Sequence, residues 1–275
     1  MKRIIVTPAG RKEYLAILVR YLNYYKNEFD EWHLWCNTDD QSDKNYMLEL
    51  EKQYSFIKVL PLGINFFPGC FACTIPWFIE RDSTDEDTLY LRLDDDIVFI
   101  KKNSIKDIFD YRLNNTDNFL VYGNIVNNSV LSSIHQKIGA LSTSMGQVEF
   151  NSRSQLGLID SRFAEICHRN FFENYYNNNL NIFNFDNLIL KDFTHTSIQV
   201  ISWWGKEFKK FNGIIPVNIH EEDYVAQIRP QELGIPNIIF GNSLFCHYSS
   251  QYTRDYLKQL DILSAYEKVA GEYLR

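Results

Sequence analysis

No apolar run in this 275-residue chain approaches the roughly 20 residues that a membrane-spanning helix needs. The apolar stretch nearest the start, Ile4–Val6, is too short for the core of a signal peptide, so a cytoplasmic protein is expected. Positive charge is also scarce. Only 28 Lys and Arg stand against 35 Asp and Glu, a net charge of −7. That excludes the basic footprint of a nucleic-acid-binding protein. It leaves room for a small anionic ligand held through a cation. Glycine and proline number only 12 and 7. No segment rich in Pro, Gly or Ser is long enough to separate two domains, and a single domain over 1–275 is expected. The five cysteines are scattered, which suits free thiols in a reducing compartment. Cys70 and Cys73 form a CxxC, but no second pair stands at zinc-site spacing, so packing against Phe71 and Trp77 is expected. No internal repeat is visible.

Apolar residues are plentiful at 45%, and aromatics reach 15% with 20 Phe and 17 Tyr. That is enough for a full core, with rings to spare for a ligand. The first half alternates strand and helix. Lys2–Thr7 reads as a strand and Pro8-Ala9-Gly10 as a turn. Leu15, Leu18, Val19 and Leu22 then mark one face of a helix. Glu31–Cys36 is a strand that ends in the polar loop Asn37–Asp43. Tyr46–Tyr54 reads as a helix, Phe56–Leu60 as a strand and Thr74–Asp82 as a helix. Leu89–Leu93, Ile97–Ile100 and Phe119–Val126 read as further strands. This rhythm predicts an α/β fold, a mainly parallel sheet flanked by helices. Beyond an ambiguous middle, Ser161–Tyr176 reads as a helix and Ser197–Ser202 as a strand running into Trp203-Trp204-Gly205. A turn follows at Asn212-Gly213, and then a helix over Asn218–Arg229, stopped before Pro230. Asn237–Tyr248 reads as a strand. Tyr252–Arg275 reads as an amphipathic helix with Tyr256, Leu260 and Leu263 on one side.

The densest signal lies in YLRLDDDIVFI, where Asp94, Asp95 and Asp96 interrupt two apolar strands. Three adjacent carboxylates repel one another unless something positive neutralises them. Carboxylate oxygens suit the hard ions Mg²⁺ and Mn²⁺. The carboxyl end of a buried strand is also where open α/β sheets bind ligands. A solvated acidic turn is the competing reading.

In order along the chain, the strand and turn Ile4–Gly10, the Asp94–Asp96 triplet, the acidic group Glu221-Glu222-Asp223 and the late His247 resemble the GT-A class. These are Rossmann-like, nucleotide-sugar-dependent glycosyltransferases. LDDDIVFI is similar to the LDDDVFV phrase of β-1,3-glycosyltransferases, and EEDYV to their EDVYVG segment. The resemblance rests on short motifs in a fixed order. It implies a nucleotide-binding half over 1–126 and an acceptor-binding half over 127–275. It also implies a nucleoside-diphosphate sugar as donor, most commonly a UDP-sugar, and a glycan or other hydroxyl acceptor.

The residue roles follow from the same resemblance. Thr7, Pro8 and Ala9 border the nucleotide. Asp94 serves the ribose or the metal shell, and Asp96 holds Mn²⁺ or Mg²⁺ directly. Residues two apart share a face of an extended strand, which leaves Asp95 beside the nucleotide site or in a structural role. His247 completes the metal shell, and its nitrogen suits Mn²⁺ better. A carboxylate is needed to take the acceptor's proton, with Asp223 ranked ahead of Glu222. A single displacement would invert the anomeric centre. Capping competes for these acids: with Asn218 as N-cap, Glu221 would close a capping box. Asp39 resembles the acid that meets the nucleobase, and equally suits a solvated loop. Arg81 suits phosphate or ribose, or pairing with Asp82, Asp85 or Glu86. Trp203 and Trp204 are candidates for the acceptor platform, although neighbours on a strand face opposite ways and at most one can serve.

Two rival functions remain. A sugar nucleotidyltransferase would use similar carboxylates, but Pro8–Lys12 is only a faint version of its glycine-rich basic loop. A non-catalytic carbohydrate-binding protein could keep the aromatics and a structural cation without turnover.

Overall fold

Among the described residues, six of nine strands point the same way, and their carboxyl ends define one edge of a continuous sheet. The computed structural model describes residues 1–60, 84–213, 215–216 and 219–275. Arg81, the Cys70 and Cys73 pair, the helix expected over 74–82 and the Asn218 cap lie outside them. The strands are β1 (Lys2–Ala9), β2 (Glu31–Cys36), β3 (Ile57–Leu60), β4 (Thr88–Leu93), β5 (Ile97–Ile100), β6 (Val121–Val126), β7 (Leu188–Leu190), β8 (Val200–Trp204) and β9 (Asn237–His247). Their spatial order is β3-β2-β1-β4-β8-β6-β9-β5, with β7 paired to β9. Strands β1 to β4, β6 and β9 run one way, and β5, β7 and β8 run against them. The expected mainly parallel sheet flanked by helices is therefore present, with β8 inserted backwards into its centre.

Burial explains the strand sequences. Every residue of β4, β5, β6 and β8 is buried, and the runs are correspondingly apolar. Helix α1 (Lys12–Tyr24) buries Tyr14, Leu15, Leu18, Tyr21 and Leu22 on one face. Tyr21 meets Phe99 of β5 at 5.7 Å between ring centres. Phe171 of the helix Ser161–Tyr176 and Tyr273 of the helix Ile262–Tyr273 reach the same Phe99, at 4.8 and 5.0 Å.

Four local expectations are corrected. Pro8 and Ala9 extend β1 rather than turning. The pairing with β4 stops at Val6, so at Pro8 a ladder neighbour exists on the β2 side alone. That edge-like position tolerates proline. The turn falls at Gly10, where a Cβ would sit 2.8 Å from the Asn37 carbonyl oxygen. Second, the loop after β2 is shorter than expected. Helix α2 (Gln41–Gln53) starts inside it, because Asp40 accepts from the N–H groups of Ser42 (2.7 Å) and Asp43 (3.1 Å).

Third, Pro230 does not end the helix before it. An α turn Glu221–Asp223 widens into a π segment Tyr224–Ile228 and then resumes over Arg229–Leu233, closed by left-handed Gly234. Pro230 has no N–H for the Ala226 carbonyl four residues back, and that carbonyl accepts from Asn237 Nδ2 at 2.8 Å instead. Fourth, the C-terminal helix is two pieces, Arg254–Leu257 and Ile262–Tyr273. Its buried residues are Leu257, Ile262, Tyr266, Val269 and Ala270, while Tyr256, Leu260 and Leu263 are only partly covered.

Candidate active site

The topology gathers six chain segments at one edge. β1 delivers Gly10 and Arg11, β2 delivers Asn37–Asp40, and β4 delivers Asp94–Asp96. β6 delivers Asn127 and Asn128, and β9 ends at His247. Because β8 is reversed, it contributes its start, Gln199, where the others contribute their ends. The acidic turn is tied across these ends. Asp94 N–H donates to the Gln199 carbonyl (2.9 Å), and Tyr248 N–H donates to the Asp96 carbonyl (2.9 Å).

Each aspartate has its own partner. Asp94, the most exposed of the three, accepts from Arg92 Nε at 2.9 Å. Asp95 accepts from Gly10 N–H (3.0 Å) and from Arg11 Nε (3.0 Å), with a further contact to the other arm of that guanidinium. Asp96 takes Arg11 Nη1 on Oδ2 at 2.9 Å. Its other oxygen, Oδ1, is buried without a hydrogen bond and lies 3.3 Å from His247 Nε2. His247 Nδ1 lies 3.3 Å from the Asn127 carbonyl and from Gln199 Nε2. Donation to that carbonyl turns Nε2 toward Asp96. Burial alone would raise Asp96, but Arg11 and His247 outweigh it and hold the carboxyl well below its ordinary range. Burial alone would lower His247, but Asp96 outweighs it and raises the imidazole.

The expected three-ligand metal set is not assembled. Asp96 and His247 face each other, but Asp94 is turned to Arg92 and the guanidinium of Arg11 lies against the acids. Among the described residues, no three His, Cys, Asp or Glu side chains converge as a metal site. Within the acidic turn, the orphaned Asp96 oxygen opposite the His247 nitrogen has the chemistry of a cation donor pair.

A second charged cluster abuts the first. Glu221 is buried and accepts from Arg92 Nη1 at 3.1 Å, so Arg92 bridges the two acidic triplets. Burial raises Glu221, and Arg92 offsets only part of that. The N-cap of this helical turn is His220, whose Nδ1 accepts from Glu222 N–H at 3.3 Å. Asp223 meets Arg153 Nη2 at 2.6 Å and His195 Nε2 at 2.9 Å. His195 Nδ1 lies 2.5 Å from Ser152 Oγ, and its Nε2 lies 3.7 Å from Glu222. Burial raises Glu222 despite His195 and Arg92. Phe150, Ser152, Arg153, His195, Asp223 and Gln227 line an open cleft of about 570 Å³ beside these acids.

Several residues named from the sequence lie elsewhere. Thr7 is inside the core, its Oγ1 accepting from Trp32 Nε1 at 2.9 Å. Ala9 is a buried strand residue and Pro8 pairs beside Trp35, so Gly10 and Arg11 take the place expected of them at the mouth. Asp39 is exposed at the correct edge, 3.8 Å from Lys44 Nζ. Trp203 and Trp204 are at the wrong end of the sheet. The antiparallel register sets them beside Tyr90 and Leu89, whereas the acids follow Leu93, which faces Val200. Trp203 is stacked between Tyr90 (5.5 Å) and Phe208 (4.7 Å), and Trp204 is buried with Lys206 over its ring.

Sequence reasoning missed Arg11, Arg92, Asn127, Asn128, His195 and Gln199. The Asn127-Asn128 pair carried a usable signal. Asn127 is left-handed (φ 62°), and Asn128 caps the following helix, Ser129–Lys137, through Leu131 N–H while donating to Gln199 Oε1 at 2.7 Å. Polar Asn at a strand-to-helix junction suits both roles.

No protein-family model matches the chain, and no curated protein matches it. Among solved structures, it is similar to CMP:2-keto-3-deoxy-manno-octonic acid synthetase complexed with CTP. The TM-score is 0.51 at 11% identity, over 97% of this chain and 100% of that one. The likeness is one of fold. A galactosyltransferase, LgtC, in complex with donor and acceptor sugar analogs overlaps 76% of this chain and 59% of its own at 12% identity. Its TM-score of 0.39 is too low to bear on function or fold. No helix among the described residues is long and apolar enough to cross a membrane.

Proposed function

We propose that this chain is a glycosyltransferase that moves a sugar from a nucleoside-diphosphate sugar to an acceptor hydroxyl. One observation carries the reading: Arg92 pairs with both Asp94 and Glu221, so the acidic turn and the Glu221–Asp223 segment lie side by side. In this reading residues 1–126 supply most of the nucleotide side, and residues 127–275 supply the acceptor side. The diphosphate lies at the mouth beside Gly10, Arg11 and Asp94, and UDP is the expected nucleotide. Asp96 and His247 are the pair that would hold Mn²⁺ or Mg²⁺, whose charge would offset that of the departing diphosphate.

The acceptor occupies the cleft beside His195. Glu222 is the better base of the two acids expected. Asp223 is engaged by both Arg153 and His195, whereas Glu222 has its basicity raised by burial. As the acceptor oxygen bonds to the anomeric carbon, the bond from that carbon to phosphate breaks and the proton passes to Glu222. A single displacement of this kind inverts the centre. Glu222→Gln is expected to lower turnover by about 10²–10⁴-fold.

The fold likeness to a synthetase favours a second reading, a sugar nucleotidyltransferase. A thermal-shift panel of nucleoside diphosphates and nucleotide sugars, with and without Mn²⁺, tests nucleotide binding and selects the donor. Product analysis then separates the two. Release of nucleoside diphosphate supports glycosyl transfer, and exchange of pyrophosphate overturns it. No stabilisation by any nucleotide would remove both readings.

A further inference from the structure

Arg11 is placed where an added cation would act. Its guanidinium spans two buried carboxylates, Asp95 through Nε and Asp96 through Nη1, at 3.0 and 2.9 Å. It also lies over the Tyr14 ring, 5.1 Å from its centre. Unlike the acids, whose side chains are 4% and 2% exposed, Arg11 keeps 28% of its side chain open to the mouth. Gly10 N–H holds the Asp95 side chain, and Tyr248 N–H holds the Asp96 backbone carbonyl in the turn.

The second observation is the orphaned Asp96 Oδ1. It is buried, has no hydrogen bond, and faces His247 Nε2 at 3.3 Å. A buried carboxylate oxygen beside an imidazole nitrogen is a donor pair that a metal cation can take. Asp94, Asp95, Asp96 and Glu221 bring four negative charges, and Arg11, Arg92 and a protonated His247 return three. A divalent cation arriving alone meets acids already paired with Arg11. A diphosphate arriving alone meets a mouth that is still net negative.

We propose that Arg11 is a displaceable counter-ion: a divalent cation takes its place on the carboxylates, and the released guanidinium takes the ligand's diphosphate. This rests on the nucleotide-sugar reading for the identity of the anion, but not for the competition between Arg11 and the cation. Exchange of partners makes binding of cation and diphosphate mutually dependent. Linkage requires the dependence to be equal in both directions. The guanidinium fork suits both partners, since it matches carboxylate and phosphate alike.

The test is Mn²⁺ binding to the full chain, read from the loss of the free-ion electron paramagnetic resonance signal, with and without UDP or inorganic pyrophosphate. Wild-type protein is expected to bind Mn²⁺ weakly alone and about tenfold or more tightly with the anion. Arg11→Gln is expected to bind Mn²⁺ about tenfold or more tightly than wild type without any anion, and to lose the coupling. Should Arg11→Gln not fold, Arg11→Lys serves: one ammonium cannot span both carboxylates, and Mn²⁺ affinity should still rise. Equal Mn²⁺ affinity in wild type and variant, or no binding by either at millimolar Mn²⁺, overturns the proposal. If the variant gains Mn²⁺ while neither anion affects the wild type, the competition stands and the diphosphate reading fails.

Discussion

The two acidic triplets have nearly the same composition and opposite settings. Asp94–Asp96 closes a strand, and two of its acids are buried against one guanidinium. Glu221–Asp223 opens a helix, and only Glu221 is buried. The first triplet is held by what lies inside the protein. The second is held inside at Glu221 and reaches outward at Asp223, whose partner Arg153 is 69% exposed. A run of acids is therefore not one feature. The cation that each carboxylate meets sets how deeply and how firmly it is held, and Arg92 ties the two runs together.

Breaking the bridge should have the largest effect. Arg92→Met leaves Glu221 buried without its cation and should cost about 3–5 kcal/mol, measured by urea unfolding. That is a large share of the roughly 5–15 kcal/mol that stabilises a typical domain. Adding Glu221→Gln to that variant should recover part of the loss. A cost below about 1 kcal/mol would mean that the triplets are independent.

The next contrast is in pH. The raised His247 contributes stability that is complete below the ordinary imidazole pKa of about 6.5 and disappears as pH rises through its higher folded value. His247→Gln should therefore be weaker than wild type by about 1–2 kcal/mol near pH 6, with the gap narrowing toward alkaline pH. A gap independent of pH would show that His247 acts by packing alone. Asp223→Asn should change stability least, by under about 1 kcal/mol, because Arg153 is in solvent and the amide oxygen can still accept from His195. A larger loss in the same unfolding assay would erase the difference between the triplets.

The first half of the fold was legible because its βαβ units are local. Strand, helix and turn each mark themselves within a dozen residues, and Glu31–Cys36 was read with its observed bounds. The acidic mouth was legible for the same reason, as charge in the middle of apolar strands. Direction was not legible. Nothing in SIQVISWW states that β8 runs backwards, and that reversal sends Trp203 and Trp204 away from the acids. Partnership over long separations was equally hidden. Arg11 reaches acids 84 and 85 positions later, and Arg92 reaches Glu221 129 positions later. Pro230 misled because a π segment makes room for it, a device without a composition of its own.

The reversed central strand has a consequence for how this protein can diversify. The stretch leading into β8 carries His195 to the cleft and Gln199 to the mouth, yet it belongs to none of the six strands that run the same way. Lengthening or trimming that approach would redraw the cleft while leaving Gly10, Arg11 and Asp94–Asp96 in place. Selectivity for one reactant can drift without the other being disturbed.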